Sequence, residues 1–337
     1  NKRMSDRSGP HVRIQKNAPK IYMDVMIALL PCCVAAVYCY GLRALILLLW
    51  GPLLHILTDH FFARFVRREQ VYLDLSGGVS GLILVLLLPP TVSVWAVSAG
   101  ILFSSVIVKQ FFGGVGCNLF NPAFAGRAFM AIAFAGTTET LVQPLTGIFR
   151  WNTLFFGPGE MISVAPETSG WLEILSGIYP GAMGLTGILF AVAGAVYLTI
   201  RGILRLQAPL AYFGTIVTGY WVFFLKDASI NGLLSLIATS GIIFCAAFAF
   251  GDFTTIPSSA TGRVVFGIGT GVLAMILISC GHTILAVVSP VLLMNGVTPL
   301  LEFYIRPRVF AKGNWYSRKG LPDSIATIPK GETEVRT

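Results

Sequence analysis

Residues 113–130 read GGVGCNLFNPAFAGRAFM. Gly113, Gly114 and Gly116 could turn backbone N–H groups toward an anion. Asn118 and Asn121 carry amides that suit a polar ring or a file of water, and Arg127 adds a fixed cation. A dinucleotide fingerprint needs a strand before its glycines and an acidic residue about twenty positions after them. Neither this stretch nor Gly267-Ile-Gly269-Thr-Gly271 has that strand, and close helix packing through small residues accounts better for 267–271. Asn-Pro-Ala at 121–123 is the signature of aquaporin-type channels, which carry it twice. The second copy here would be Ile256-Pro257-Ser258, which lacks the asparagine. A weaker echo does exist, because Pro122 to Arg127 resembles Pro257 to Arg263, and each follows an irregular polar stretch, the second beginning at Asp252.

The elements that must position these residues are set by composition. The chain has 337 residues, is 55% hydrophobic and only 12% charged, with a mean hydropathy of +0.77. A soluble domain carries about twice that charge, so the sequence predicts an all-α polytopic membrane protein. Apolar runs suited to a hydrocarbon core about 30 Å thick fall at 21–41, 42–62, 77–90, 92–111, 122–136, 180–200, 207–225, 232–250, 262–280 and 283–304, about ten transmembrane helices. Basic loops stay cytoplasmic. Of the 24 Lys and Arg residues, only Arg43, Arg150 and Lys226 fall in outer segments when both termini are cytoplasmic, with Arg127 inside a helix. The net charge of +9 therefore reports topology and contact with membrane lipid. Without interleaved aromatic platforms it gives no nucleic-acid surface. No cleavable leader is expected in the polar, basic first twenty residues, so the first span does the targeting.

The domain reading is a cytoplasmic tail at 1–20, a first membrane repeat at 21–136, an outer loop at 137–179, a second repeat at 180–305 and a cytoplasmic tail at 306–337. Five spans per half would give two inverted five-helix repeats, an architecture whose broken helices meet at a central site. Irregular backbone at that depth must be buried or line a wet cavity. Ionisable residues at or near membrane depth are Asp24, His55, Asp59, Asp74, Lys109, Asp252 and His282. Such residues are functional candidates by default, and Asp252 is the strongest. The cysteines, none in a C-x-x-C, read as small buried hydrophobes, and no metal site is expected from this chain.

Four runs in order, Tyr22–Pro31, Asp74–Pro90, Gly113–Ala123 and Gly262–Gly271, make the chain similar to the D-type subunit of the Rnf ion-translocating electron-transport complex, a family homologous to the B-type subunit of the sodium-pumping NADH:quinone reductase. The resemblance covers about residues 20–310. It implies a membrane subunit of an ion-pumping ferredoxin:NAD oxidoreductase in a prokaryotic inner membrane. Such a subunit relays electrons through flavin, is coupled to Na+ or H+ translocation, and works with other membrane and peripheral subunits rather than catalysing alone. It also implies FMN joined by a phosphoester to a threonine after the Asn-Pro-Ala helix. The match here is Thr137-Thr138-Glu139-Thr140, which puts any covalent flavin on Thr140, with Thr138 second. Glu139 replaces the family's alanine and repels an incoming phosphate, which works against covalent attachment. A non-covalent flavin such as riboflavin, held by the Gly113–Asn118 turn and Asn121, is the other expectation, with Arg127, Asp252 and Arg263 beside it. A flavin-free transport or scaffold relative of the same fold is the alternative.

Overall fold

In the computed structural model, residues 18–68, 75–138, 181–185, 187–224, 229–281 and 285–305 are described. All of them fall in one compact unit. Among them the fold is helical. α1 (Ala18–Phe62) is followed by a π-helical turn, Ala63–Arg67, and together they make a 50-residue apolar rod. At 1.5 Å per residue that is roughly 75 Å, enough for two crossings. The rod is broken at Gly41 (φ 67°, ψ −150°), a backbone region essentially reserved for glycine. This is the boundary that the hydropathy places between the first two spans.

α2 (Leu75–Leu86), α3 (Val94–Leu102, continuing as a π-helix through Gln110), α4 (Pro122–Ala133) and the short α5 (Ala135–Thr138) complete the first half. After 181–185 come α6 (Ile188–Ile200), α7 (Gln207–Phe223), α8 (Ile230–Thr239) and α9 (Ile242–Phe244, π-helical through Ala249), then α10 (Ala260–Ser279) and α11 (Leu285–Tyr304). The all-α multi-pass reading holds, and the described helices differ widely in length. Among the described residues three helices are long and apolar enough to cross by length alone, and a fourth if α8 and α9 form one span bent by 55°. Hydropathy counts apolar residues but does not detect where a helix stops. α2 and α4 have 12 residues each, roughly 18 Å of rise.

Helices that stop inside a bundle leave orphan carbonyls, which need donors. At the end of α2 the Leu86 and Leu88 carbonyls accept from the Gly184 and Met183 N–H groups at 2.7 and 3.0 Å, and Leu87 O accepts from Arg127 Nε at 3.0 Å. The following turn is held by fully buried Arg43, which donates to the carbonyls of Pro90 and Val92. Small residues let the rods approach. A Cβ on Gly81 of α2 would stand 2.7 Å from the Gly51 carbonyl oxygen and 2.9 Å from Pro52 Cα of α1. One on Gly271 of α10 would stand 2.7 Å from Thr215 Cβ of α7, so 267–271 is a packing stripe, as its spacing suggests.

Candidate functional site

α4 starts where it does because Pro122 needs no intrahelical N–H partner and Asn121 caps it, its Oδ1 accepting from Ala123 N at 3.1 Å. The other end of the same amide donates from Nδ2 to Asp252 Oδ2 at 3.2 Å, across 131 residues of sequence. Asp252 opens the irregular stretch after α9. Its Oδ1 accepts from the Thr254 N–H (3.1 Å) and hydroxyl (2.7 Å), and its Oδ2 from the Thr255 hydroxyl (3.3 Å). Burial pushes this carboxyl above its ordinary pKa, opposed by the hydrogen bonds from Thr254 and Thr255. Asn295 of α11 ties the junction together. With its amide oxygen toward Asn121 N (3.1 Å), its NH2 reaches Thr255 O (3.3 Å) and Val291 O (3.2 Å). Asn118, Asn121, Asp252, Ser76, Tyr22 and Phe248 are among the residues lining a cavity of about 40 Å³ at this junction.

The glycines do not face this cavity. Gly113, Gly114 and Gly116 have φ values of 113°, 87° and 84°, so they form the turn, and the polar groups of Gly113 and Gly114 serve it. Gly114 N donates to Lys109 O at 3.0 Å, and Gly113 O accepts from Arg67 at 2.7 Å. Of the residues expected to supply ligand donors, Asn118 and Asn121 line the cavity and the three glycines are not among its lining residues. Arg127 and Arg263 are also displaced from it. Besides Leu87 O, Arg127 donates to Thr138 O at 3.2 Å. Arg263 donates to Pro257 O at 3.0 Å, to Ser258 O and to Gln207 Oε1 at 2.9 Å. Both guanidiniums satisfy backbone at helix breaks, but they meet different partners. Thr138, the last residue of α5, is fully buried, and its hydroxyl donates to Phe134 O at 3.1 Å. Asp74, His282 and the predicted outer loop from 139 onward, Thr140 included, lie outside the described residues.

A second polar cluster joins residues that the sequence offered only singly. Asp59 Oδ2 accepts from Lys109 Nζ at 2.5 Å, and His55 Nδ1 lies 3.3 Å from the same oxygen. Asp59 Oδ1 accepts from Ser105 Oγ at 2.6 Å and Gln110 Nε2 at 2.8 Å. The π-helical register of 103–110 brings Ser105, Lys109 and Gln110 to one carboxylate, and π-helical turns recur at functional sites. Lys109 Nζ also donates to Ser76 Oγ at 2.6 Å, and Ser76 lines the cavity beside Asn121. One hydroxyl thus separates the ion pair from the junction of the two halves. Sequence reading missed Ser76, Ser105 and Asn295. A lone polar residue in an apolar span was the available signal for Asn295.

The donors at the cavity suit a flavin ring in kind, but the space does not. Small-molecule pockets run to about 300–1,000 Å³, whereas this one has about 40 Å³ and is flanked by Tyr22 and Phe253, whose ring centroids are 5.9 Å apart. As it stands it fits water or a small ion.

A profile described as the NQR2, RnfD, RnfE family matches residues 5–311. The chain is 31% identical to the D-type subunit of the Na+-translocating ferredoxin:NAD+ oxidoreductase complex of Acetobacterium woodii, over 90% of this chain and 94% of that one. It is 28% identical to the D-type subunit of the proton-translocating ferredoxin:NAD+ oxidoreductase complex of Clostridium ljungdahlii, over 90% and 95%. It is 30% identical to the D-type subunit of the ion-translocating oxidoreductase complex of Halorhodospira halophila, over 94% and 96%.

Proposed function

The chain belongs to the NQR2, RnfD, RnfE family, and from that premise we propose that it serves as the D-type membrane subunit of an ion-translocating ferredoxin:NAD oxidoreductase complex. The observation that carries this reading is the Asn121–Asp252 contact between two broken elements, continued through Ser76 to the buried Asp59–Lys109 pair. Ionisable groups are costly inside an apolar bundle and mark ion or proton pathways. The described residues hold no strand-based nucleotide fold, so oxidation of ferredoxin and reduction of NAD fall to partner subunits. The relatives' names include both Na+ and proton translocation, and the identity of the ion stays open between them.

The flavin part of the proposal is FMN on Thr140 and a non-covalent flavin such as riboflavin at Asn118 and Asn121, the second requiring Tyr22 and Phe253 to part. The charge distribution supports an inner-membrane placement with both tails cytoplasmic. The test is to purify the chain with its co-expressed partner subunits and measure ferredoxin-driven NAD reduction and ion uptake in sealed vesicles, with and without this chain. Loss of both activities without it, and protein-bound flavin absorbance with it, are expected. Full activity of the remaining subunits would refute the assignment, and active complex without flavin on this chain would favour the flavin-free relative.

A further inference from the structure

The segment 202–206 between α6 and α7 is a ridge with two different sides. Ile203 and Arg205 face a cavity of about 360 Å³ shared with Arg263 and Ser258, and among the described residues no carboxylate lines it. Leu204 and Leu206 face a groove of about 380 Å³ lined almost wholly by apolar side chains, including Leu210, Phe213 and Val196. α7 begins at the ridge without a side-chain cap, since its N-cap residue is Leu206, and such a helix start favours an anion. Arg263 keeps guanidinium N–H groups beyond its three backbone and amide contacts, and no hydrogen bond or ion pair holds Arg205 among the described residues. Glu302 accepts from Ser258 N at 3.0 Å, and Arg201 is paired with Asp24 at 2.8 Å.

We propose that this ridge binds an anionic phospholipid. The headgroup phosphate sits between Arg205 and Arg263 at the uncapped start of α7, and an acyl chain lies along Leu206, Leu210 and Phe213. Charge complementarity selects the headgroup, because basic pockets between helices bind anionic lipid. The adjoining apolar groove separates a lipid from a free phosphate, which would gain nothing from it.

The experiment uses the purified complex in bilayers containing spin-labelled phosphatidylglycerol or phosphatidylcholine and reads the motionally restricted fraction. Wild type should prefer phosphatidylglycerol. Arg205→Gln should lower that preference about five-fold, the effect of one surface-proximal cation, while Arg205→Lys keeps most of it. Val196→Trp, which fills the groove beside a side chain already 51% exposed, should lower restriction of phosphatidylglycerol without touching either arginine. Equal restriction of both lipids in wild type, or no change in Arg205→Gln, overturns the proposal. So does displacement of the restricted signal by inorganic phosphate, which would mark a free-anion site.

Discussion

Replacing Lys109 with methionine tests whether the buried ion pair is a coupled unit. The ammonium and Asp59 are 1% and 5% exposed, so neither is rescued by water. In Lys109→Met, Asp59 Oδ1 keeps Ser105 and Gln110, but Oδ2 is left with only His55, at 3.3 Å. Breaking a buried pair from one side costs about 3–5 kcal/mol, because the stranded charge stays desolvated. The two retained donors place the expected loss at the lower end of that range. Asp59→Asn strands the ammonium instead, with Ser76 as one remaining acceptor, and should cost a similar amount. The double variant strands no charge, and its asparagine oxygen can still accept from Ser105 and Gln110. It should lie within about 2 kcal/mol of wild type, since replacing a whole buried pair is often close to neutral. Unfolding in mixed micelles, followed by intrinsic fluorescence, gives the four corners of the cycle. Additive losses in the double variant would refute the coupling and reduce the contacts to independent packing effects.

Three further outcomes follow from particular contacts. Gly81→Ala sets a Cβ against the Gly51 and Pro52 backbone and should destabilise by about 1–3 kcal/mol, whereas Gly136→Ala, with nothing near its Cβ position, should not; thermal melts in detergent compare them. Asn121→Ala removes a helix cap worth about 0.5–2 kcal/mol and the link to Asp252. Faster hydrogen exchange should then appear both at the start of α4 and in 252–256, and a change confined to α4 would argue against the link. After co-expression with the flavin transferase, peptide mass spectrometry should find any FMN-sized increment abolished by Thr140→Ala and retained in Thr138→Ala, because the Thr138 hydroxyl is buried and bonded to Phe134 O. Loss of the increment in Thr138→Ala alone would reverse that assignment.

Much of the bundle was legible because one solvent dictates it. Hydropathy located the long helices, and α10 and α11 at 260–279 and 285–304 differ from the expected 262–280 and 283–304 only at their ends. It also placed a boundary at 41/42, where the fold breaks at Gly41. Asn121 and Asp252 were readable as polar residues beside helix breaks, and they do meet. The runs at 77–90 and 122–136 are short for a full crossing, as α2 and α4 are, but where α2 ends was not readable, because it depends on Arg43, Arg127 and the 183–184 backbone, brought in from elsewhere in the chain. The pairing of Asp59 with Lys109 depends on a π-helical register that shifts side chains around the helix, and a pattern assuming 3.6 residues per turn does not anticipate it.

The buried charges of the bundle divide by what they bond. Arg43, Arg127 and Arg263 direct their hydrogen bonds mainly to backbone carbonyls at breaks between helices. Unmade bonds there would cost several kcal/mol in a medium without water, so these cations are conditions for having broken helices at all. An arginine serves this purpose because it stays protonated and offers five N–H groups in a rigid fork. Asp59, Lys109 and Asp252 bond mainly to side chains, with hydroxyls, side-chain amides and, for Asp59 and Lys109, one another as partners. Side chains can rotate and exchange partners on a scale that the backbone at a helix end cannot, and carboxylate and amine can each gain or lose a proton or give way to a cation. The elements that can respond to a local change of charge are therefore the side-chain-bonded pair and the Asn121–Asp252 junction, with Ser76 between them, while the arginines hold the broken frame in which they sit.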